Sequence, residues 1–217
     1  MSKRKLRLGV VGLGMGRGHA NDFQQQTETC DLVALADLDE ARLSAAGKEL
    51  GVKDLYTDAN EMFAKAGLDA VSIAVPNKFH HPLTVAALDA GLHVLCEKPM
   101  AMTVAEAEEM KAAADQAGLK LMINFSFRFS DSSFALKQQV DAGVLGKVYF
   151  GRTVWHRRRG MPGFGGWFGQ KALSGGGPLI DLGVHRIDLA LWLMGHPEPI
   201  SVSGSTYNVI AAKKAAA

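Results

Sequence analysis

Residues 10–19 read Val-Val-Gly-Leu-Gly-Met-Gly-Arg-Gly-His, and an apolar run over 6–11 leads into them. A strand that enters a helix through a glycine turn brings backbone N–H groups and the positive end of the helix dipole to one point, where a dinucleotide fold holds pyrophosphate. Gly12 and Gly14 occupy the first two positions of the G-x-G-x-x-G spacing, while the third falls on Arg17 and further glycines stand at Gly16 and Gly18. This spacing implies a turn one residue shorter, closing around Met15; a flexible glycine turn without a ligand is the alternative. Asp37 lies about a motif length downstream, at the expected end of the second strand, where a carboxylate binds the adenosine ribose hydroxyls. Its charge repels a 2′-phosphate and Leu38 offers no compensating cation, so NAD is expected over NADP, a preference softened by nearby Arg42.

Working outward, short apolar runs alternate with helical patterns through the first half, the mark of βαβ units around a parallel sheet. Strands are expected at 6–11, 32–36, 70–75, 93–96 and 119–123, and helices at 39–50, 79–90 and 104–117. Gly51, Gly91 and Gly118 follow those helices as C-caps, and Thr103 with Glu106 forms a capping box. The pattern changes near residue 124. Residues 125–143 read as one more helix, 147–155 as a strand, 160–177 as a long glycine-rich loop, 178–194 as a helix and 200–207 as a final strand.

Lys and Arg number 24 against 22 Asp and Glu, a formal charge of +2, so no strong field favours nucleic acid or a membrane surface. With 47% hydrophobic and 21% charged residues, the 217-residue chain has the composition of a globular protein with a real core. No apolar span is long enough to cross a bilayer. Lys3, Arg4 and Lys5 begin like a signal peptide, but Arg7 and the glycine cluster leave no apolar h-region, so a cytoplasmic location is expected. Cys30 and Cys96 form no CxxC pair and read as two buried structural thiols.

Two polar clusters converge on the carboxyl edge of the expected sheet: Val75-Pro76-Asn77-Lys78-Phe79-His80-His81 and Cys96-Glu97-Lys98-Pro99. In isolation, Glu97 and Lys98 read equally well as a solvated ion pair. Further on, Asp181-Leu182-Gly183-Val184-His185-Arg186-Ile187-Asp188 places Asp181, His185 and Asp188 on one stripe of a helix that is otherwise mostly apolar. Buried carboxylates and an imidazole need partners or a task. A satisfied polar network and a divalent metal site are the alternatives, the metal being disfavoured because no further His/Asp cluster lies nearby.

Taken together, Gly12, Asp37, Asn77, His80, the Glu97-Lys98-Pro99 tripeptide and the D-x-G-x-H-x-x-D segment at 181–188 resemble the Gfo/Idh/MocA family of NAD(P)-dependent oxidoreductases, relatives of glucose-fructose oxidoreductase and inositol dehydrogenase. The resemblance runs from about residue 6 to 207. It implies an α/β fold, a Rossmann-type doubly wound parallel sheet over 1–124, followed by an incomplete α+β domain over 125–217 for substrate and oligomerisation. It also implies that Lys98 bridges the nicotinamide ribose and a substrate hydroxyl, that His185 is the general acid/base, and that Asp181 binds a second hydroxyl or orients the substrate. Gly12, Gly14, Met15, Gly16, Asp37, Pro76, Asn77, His80, Glu97 and Lys98 then line the cofactor, with the peptide before Pro99 as a candidate cis bond.

Arg128 reaches substrate or cofactor by the same resemblance, or is a surface arginine. Residues 157–159, all Arg, read as a solvated basic turn before a phosphate site, and Trp167 as a core or interface residue before a stacking one. The expected activity is hydride transfer between NAD and a sugar, polyol or related hydroxyl compound, in a protein that is a homo-oligomer at full length. A redox-assisted glycosidase and a non-catalytic NAD-binding regulator are the competing readings. With the second domain barely begun, dinucleotide binding with poor turnover or none is expected of this chain.

Overall fold

The computed structural model describes residues 4–158 and 165–207. Six strands form one parallel sheet: β1 Leu6–Val11, β2 Cys30–Ala36, β3 Asp54–Tyr56, β4 Ala70–Ile73, β5 His93–Cys96 and β6 Leu121–Ile123. Their spatial order is β3-β2-β1-β4-β5-β6. The chain thus winds outward in one direction from β1 and in the other from β4, so the crevice between these two strands is the switch point where α/β sheets bind ligands. The registers Val11↔Ile73, Ile73↔Cys96 and Cys96↔Ile123 align the strand ends. Consequently Gly12, Ala74, Glu97 and Asn124 leave the sheet side by side.

Helices α1 Gly16–Gln25, α2 Glu40–Leu50, α3 Ala59–Lys65, α4 His80–Asp89 and α5 Val104–Ala117 connect the strands. One apolar cluster joins Val10 and Leu35 to Ala20, Leu43 and Leu50 of α1 and α2, and a second joins Ile73 and Val94 to Met62, Leu88 and Met110 of α3, α4 and α5. Both Cys30 and Cys96 are buried free thiols. Burial pushes Cys96 up to about 12, so it remains protonated and inert. The expected caps form: Gly51 and Gly118 take left-handed conformations, and Thr103 and Glu106 make a reciprocal capping box.

The first half departs from expectation in two pieces, the short strand β3 and the seven-residue helix α3, which sequence periodicity did not reveal. The second half departs further. The expected helix over 125–143 is a 3₁₀ turn, Ser126–Phe129, followed by α6, Asp131–Asp141; Ser130 breaks it by turning extended and capping α6 with its hydroxyl. Residues 147–155 and 200–207 form no strand, because no neighbouring strand among the described residues offers them a ladder; Tyr149 is 89% exposed and Ile200 wholly so. Between them lie a 3₁₀ turn, Trp167–Gly169, the short helix α7, Lys171–Ser174, a π turn, Leu179–Gly183, and α8, Val184–Leu193. Only His185 of α8 is buried and Ile187 is 49% exposed, so this mostly apolar helix is half-buried where its composition points to a buried one. Arg159, residues 160–164 of the glycine-rich loop and the alanine-rich tail lie outside the described residues.

Candidate functional site

The carboxyl edge of the sheet opens into a cavity of about 770 Å³ that runs from Asp37 and Arg42 past Gly12 and Gly14 to Glu97 and Lys98. Gly12 begins the turn with φ +84°, and a Cβ there would meet the Ala74 carbonyl oxygen at 2.5 Å, so no other residue fits. Gly16 packs as tightly, with a virtual Cβ 2.9 Å from Val10 Cγ1, and brings α1 against β1. Gly14 differs, since nothing lies within 4 Å of its virtual Cβ. The loop therefore presents bare backbone to the cavity exactly before α1, whose first N–H groups lack intrahelical acceptors. This cradle and donor set fit a pyrophosphate.

At the other side of the crevice, Asp37 is held by the chain itself. Its Oδ2 accepts the Leu13 N–H at 2.7 Å and its Oδ1 the Asp39 N–H at 2.9 Å. Arg42 lies 3.4 Å from Asp37 and 3.1 Å from Asp39, so its charge is shared between two carboxylates. Asp58 also lines this end. Three acids and one base therefore stand at this end of the cavity.

The two polar turns meet as expected, joined by a residue placed differently. The Lys98–Pro99 bond is cis. His80 is fully buried behind the cavity wall, its ring nitrogens 2.7 Å from the Pro99 carbonyl and 2.9 Å from that of Val75. It clamps the two turns together and does not line the cofactor cavity, correcting the expected direct contact. Burial pushes its pKa down, opposed by those carbonyls. Pro76 and Asn77 do line the cavity. Asn77 is buried, and its Nδ2 donates to the Ser174 carbonyl at 2.8 Å, fastening the end of α7 to the sheet edge.

Lys98, Asp181 and His185 come together. Lys98 Nζ donates to Asp181 Oδ1 and to the Asp181 carbonyl, both at 3.0 Å, and so grips the π turn that precedes α8. His185 is 9% exposed, with its ring edge-on to Phe127 at 4.9 Å and tilted over Trp155 at 6.1 Å. Its Nδ1 is buried with no hydrogen-bond partner among the described residues. Burial, and then the Lys98 charge, lower its pKa, which favours a neutral imidazole able to take a proton. Asp188, on the same helix, does not join this group. It forms a bidentate pair with Arg128, Nε to Oδ2 at 2.7 Å and Nη2 to Oδ1, which raises the Arg128 pKa and ties the 3₁₀ turn at 126–129 to α8.

Two further features stand at the edge, one ranked second in the sequence and one that left no signal there. Trp167 and Phe168 stack with centroids 3.9 Å apart and line the cavity, in place of the expected core or interface role for Trp167. His19 of α1 reaches beneath the sheet edge to Ser72 and Glu97, partners 53 and 78 residues away that no local pattern signals. No group of three or more His, Cys, Asp or Glu among the described residues is placed to hold a metal ion. No helix among the described residues is long and apolar enough to cross a membrane.

Comparison with known proteins agrees with this fold. A family model described as "Oxidoreductase family, NAD-binding Rossmann fold" matches residues 6–125, and one described as "GFO/IDH/MocA C-terminal domain" matches 134–216. The chain is 37% identical over 216 residues to D-glucoside 3-dehydrogenase of Escherichia coli strain K12, covering 99% of this chain and 61% of the relative. It is 30% identical to myo-inositol 2-dehydrogenase of Thermotoga maritima, covering 92% of this chain and 58% of that one. Scyllo-inositol dehydrogenase from Lactobacillus casei, solved with bound cofactor NAD(H) and scyllo-inositol, superposes with a TM-score of 0.72 at 29% identity, over 88% of this chain and 57% of that chain. The chain thus spans about three fifths of the length of these relatives. With its glycine turn, its parallel sheet and both halves matched in order, it belongs to the Gfo/Idh/MocA family of NAD-binding oxidoreductases.

Proposed function

We propose that the protein transfers a hydride between a sugar, polyol or related hydroxyl compound and NAD, which it binds in preference to NADP. The observation that carries this reading is the ion pair of Asp181 with Lys98, which lines the cavity, and the nearness of His185 to both. The reading divides the chain into a dinucleotide-holding part, 1–124, and a substrate-facing part, 125–217. Gly12, Gly14, Met15 and Gly16 hold the pyrophosphate, Asp37 the adenosine ribose, and Pro76, Asn77, Glu97 and Lys98 the reactive end. When bound, the nicotinamide supplies the hydride acceptor.

The chain's own residues handle the proton. His185, kept neutral by burial, takes the hydroxyl proton, while the Lys98 ammonium stabilises negative charge on that oxygen. Asp181 holds Lys98 in place and accepts a hydrogen bond from a neighbouring hydroxyl. Arg128 acts through Asp188, fixing α8 and hence the His185 ring.

The test is a titration of the chain with NADH by fluorescence, followed by a sugar and polyol panel assayed for NADH formation with a version as long as the relatives. Binding is expected with NADH formation on at least one compound, and Lys98→Met is expected to abolish that formation while NADH affinity stays within about threefold. Failure to bind NADH would overturn the reading. Cleavage of a chromogenic glycoside without net NADH would replace it with the redox-assisted glycosidase, and binding without any turnover would replace it with the regulator.

A further inference from the structure

His19 is a half-buried imidazole at the sheet edge that the proposed chemistry does not use. Its Nδ1 lies 2.6 Å from Ser72 Oγ and its Nε2 3.1 Å from Glu97 Oε1. Ser72 is buried on β4, so this serine–histidine–carboxylate line offers no nucleophile to a substrate. The order of donors runs the other way. With its Nε2 hydrogen directed at Glu97, His19 can accept a hydrogen bond from the Ser72 hydroxyl at Nδ1, satisfying all three groups.

Glu97 is the end of the line and the member that lines the cavity. Asn124 Nδ2 donates to the same Oε1 at 2.7 Å, with the two donor nitrogens 3.3 Å apart. The Lys98 N–H donates to Oε2 at 3.1 Å. Burial raises the Glu97 pKa, yet the His19 and Asn124 hydrogen bonds outweigh it and the carboxyl titrates below its ordinary range. A carboxylate has four acceptor positions and the chain fills three, so one remains, on Oε2 beside Lys98. That position suits a neutral N–H₂ group, which the carboxamide at the reactive end of the dinucleotide carries.

We infer that His19 is a positioning residue for cofactor selection: it locks Glu97 in the one rotation that leaves an acceptor for the carboxamide, so that the site distinguishes the amide from an acid. The inference rests on the dinucleotide reading above. Two carboxylates facing each other repel, and one lost charge-assisted hydrogen bond is enough for about a tenfold preference.

The experiment is calorimetric titration of the chain with NAD, with nicotinic acid adenine dinucleotide and with ADP-ribose. The unmodified chain is expected to bind NAD at least about tenfold more tightly than the acid dinucleotide. The His19→Leu/Ser72→Ala double variant, which leaves no orphan hydroxyl, should bring the two within about twofold with ADP-ribose affinity unchanged, and His19→Gln, which keeps a donor for Glu97, should restore most of the preference. A double variant that binds ADP-ribose normally and keeps the preference would overturn the inference.

Imidazole ¹⁵N spectra of the unmodified chain give a second measurement that depends on no variant. The His19 Nε2–H tautomer is expected, with a signal that moves on NAD addition and not on ADP-ribose addition. The other tautomer, or equal movement with both, would overturn the inference. A chain that binds neither NAD nor ADP-ribose would instead bring down the dinucleotide reading on which it rests.

Discussion

The Asp37 carboxylate is fixed before any ligand arrives, since two backbone N–H groups already hold it. Its charge therefore acts from a defined point, with Arg42 partly cancelled by Asp39. Asp37→Ala is expected to narrow the preference for NADH over NADPH by about tenfold in fluorescence titrations, the equivalent of one repulsion of roughly 1.4 kcal/mol. Equal affinities in the unmodified chain would refute the assignment. At His185 the checkable quantity is the titration itself. Burial and then Lys98 depress its pKa, so followed by NMR it should be half-protonated below 6.5, remaining neutral where an exposed histidine has begun to charge. Lys98→Met removes a neighbouring cation and should move that midpoint upward.

Among the elements, α8 is held from two directions, by Lys98 on the π turn before it and by Arg128 on Asp188 within it. Asp188→Ala leaves a part-buried guanidinium without its carboxylate, and thermal denaturation should show a loss of about 2 kcal/mol. A change under about 0.5 kcal/mol would show that the pair is a surface contact in effect. The same elements explain what could be read from the sequence. The βαβ order, the caps and the glycine turn were legible because each depends on residues a few positions apart. Lys98, Asp181 and His185 were legible through their motifs. The short β3 and α3 were not, being too brief for a period to show. Residues 147–155 misled because alternation reports a chain's fitness for a ladder and says nothing of whether a partner strand stands beside it. The Arg128–Asp188 pair spans 60 residues, and which of several charges would meet was decided by the packing of α8.

For the molecule as a whole, order is unevenly distributed. The sheet residues donate into continuous ladders, whereas 147–157 and 196–207 lie in no helix or strand. Hydrogen exchange should accordingly be slowest in β1, β4 and β5 and near the unstructured rate in those two segments. Comparable protection in both would show a ladder that this structure lacks. Turnover should be slow for a related reason, because α8 carries His185 with one flank open and hydride transfer tolerates little displacement. The bond from Asn77 to Ser174 joins the cavity wall to α7 and the chain that runs on into the π turn. Stiffening either end through that link lowers the entropy left to lose at the other, and such a relation is reciprocal. On the proposed function, filling the cavity and seating a hydroxyl compound at Asp181 and His185 would each tighten the other by the same factor, whichever arrives first.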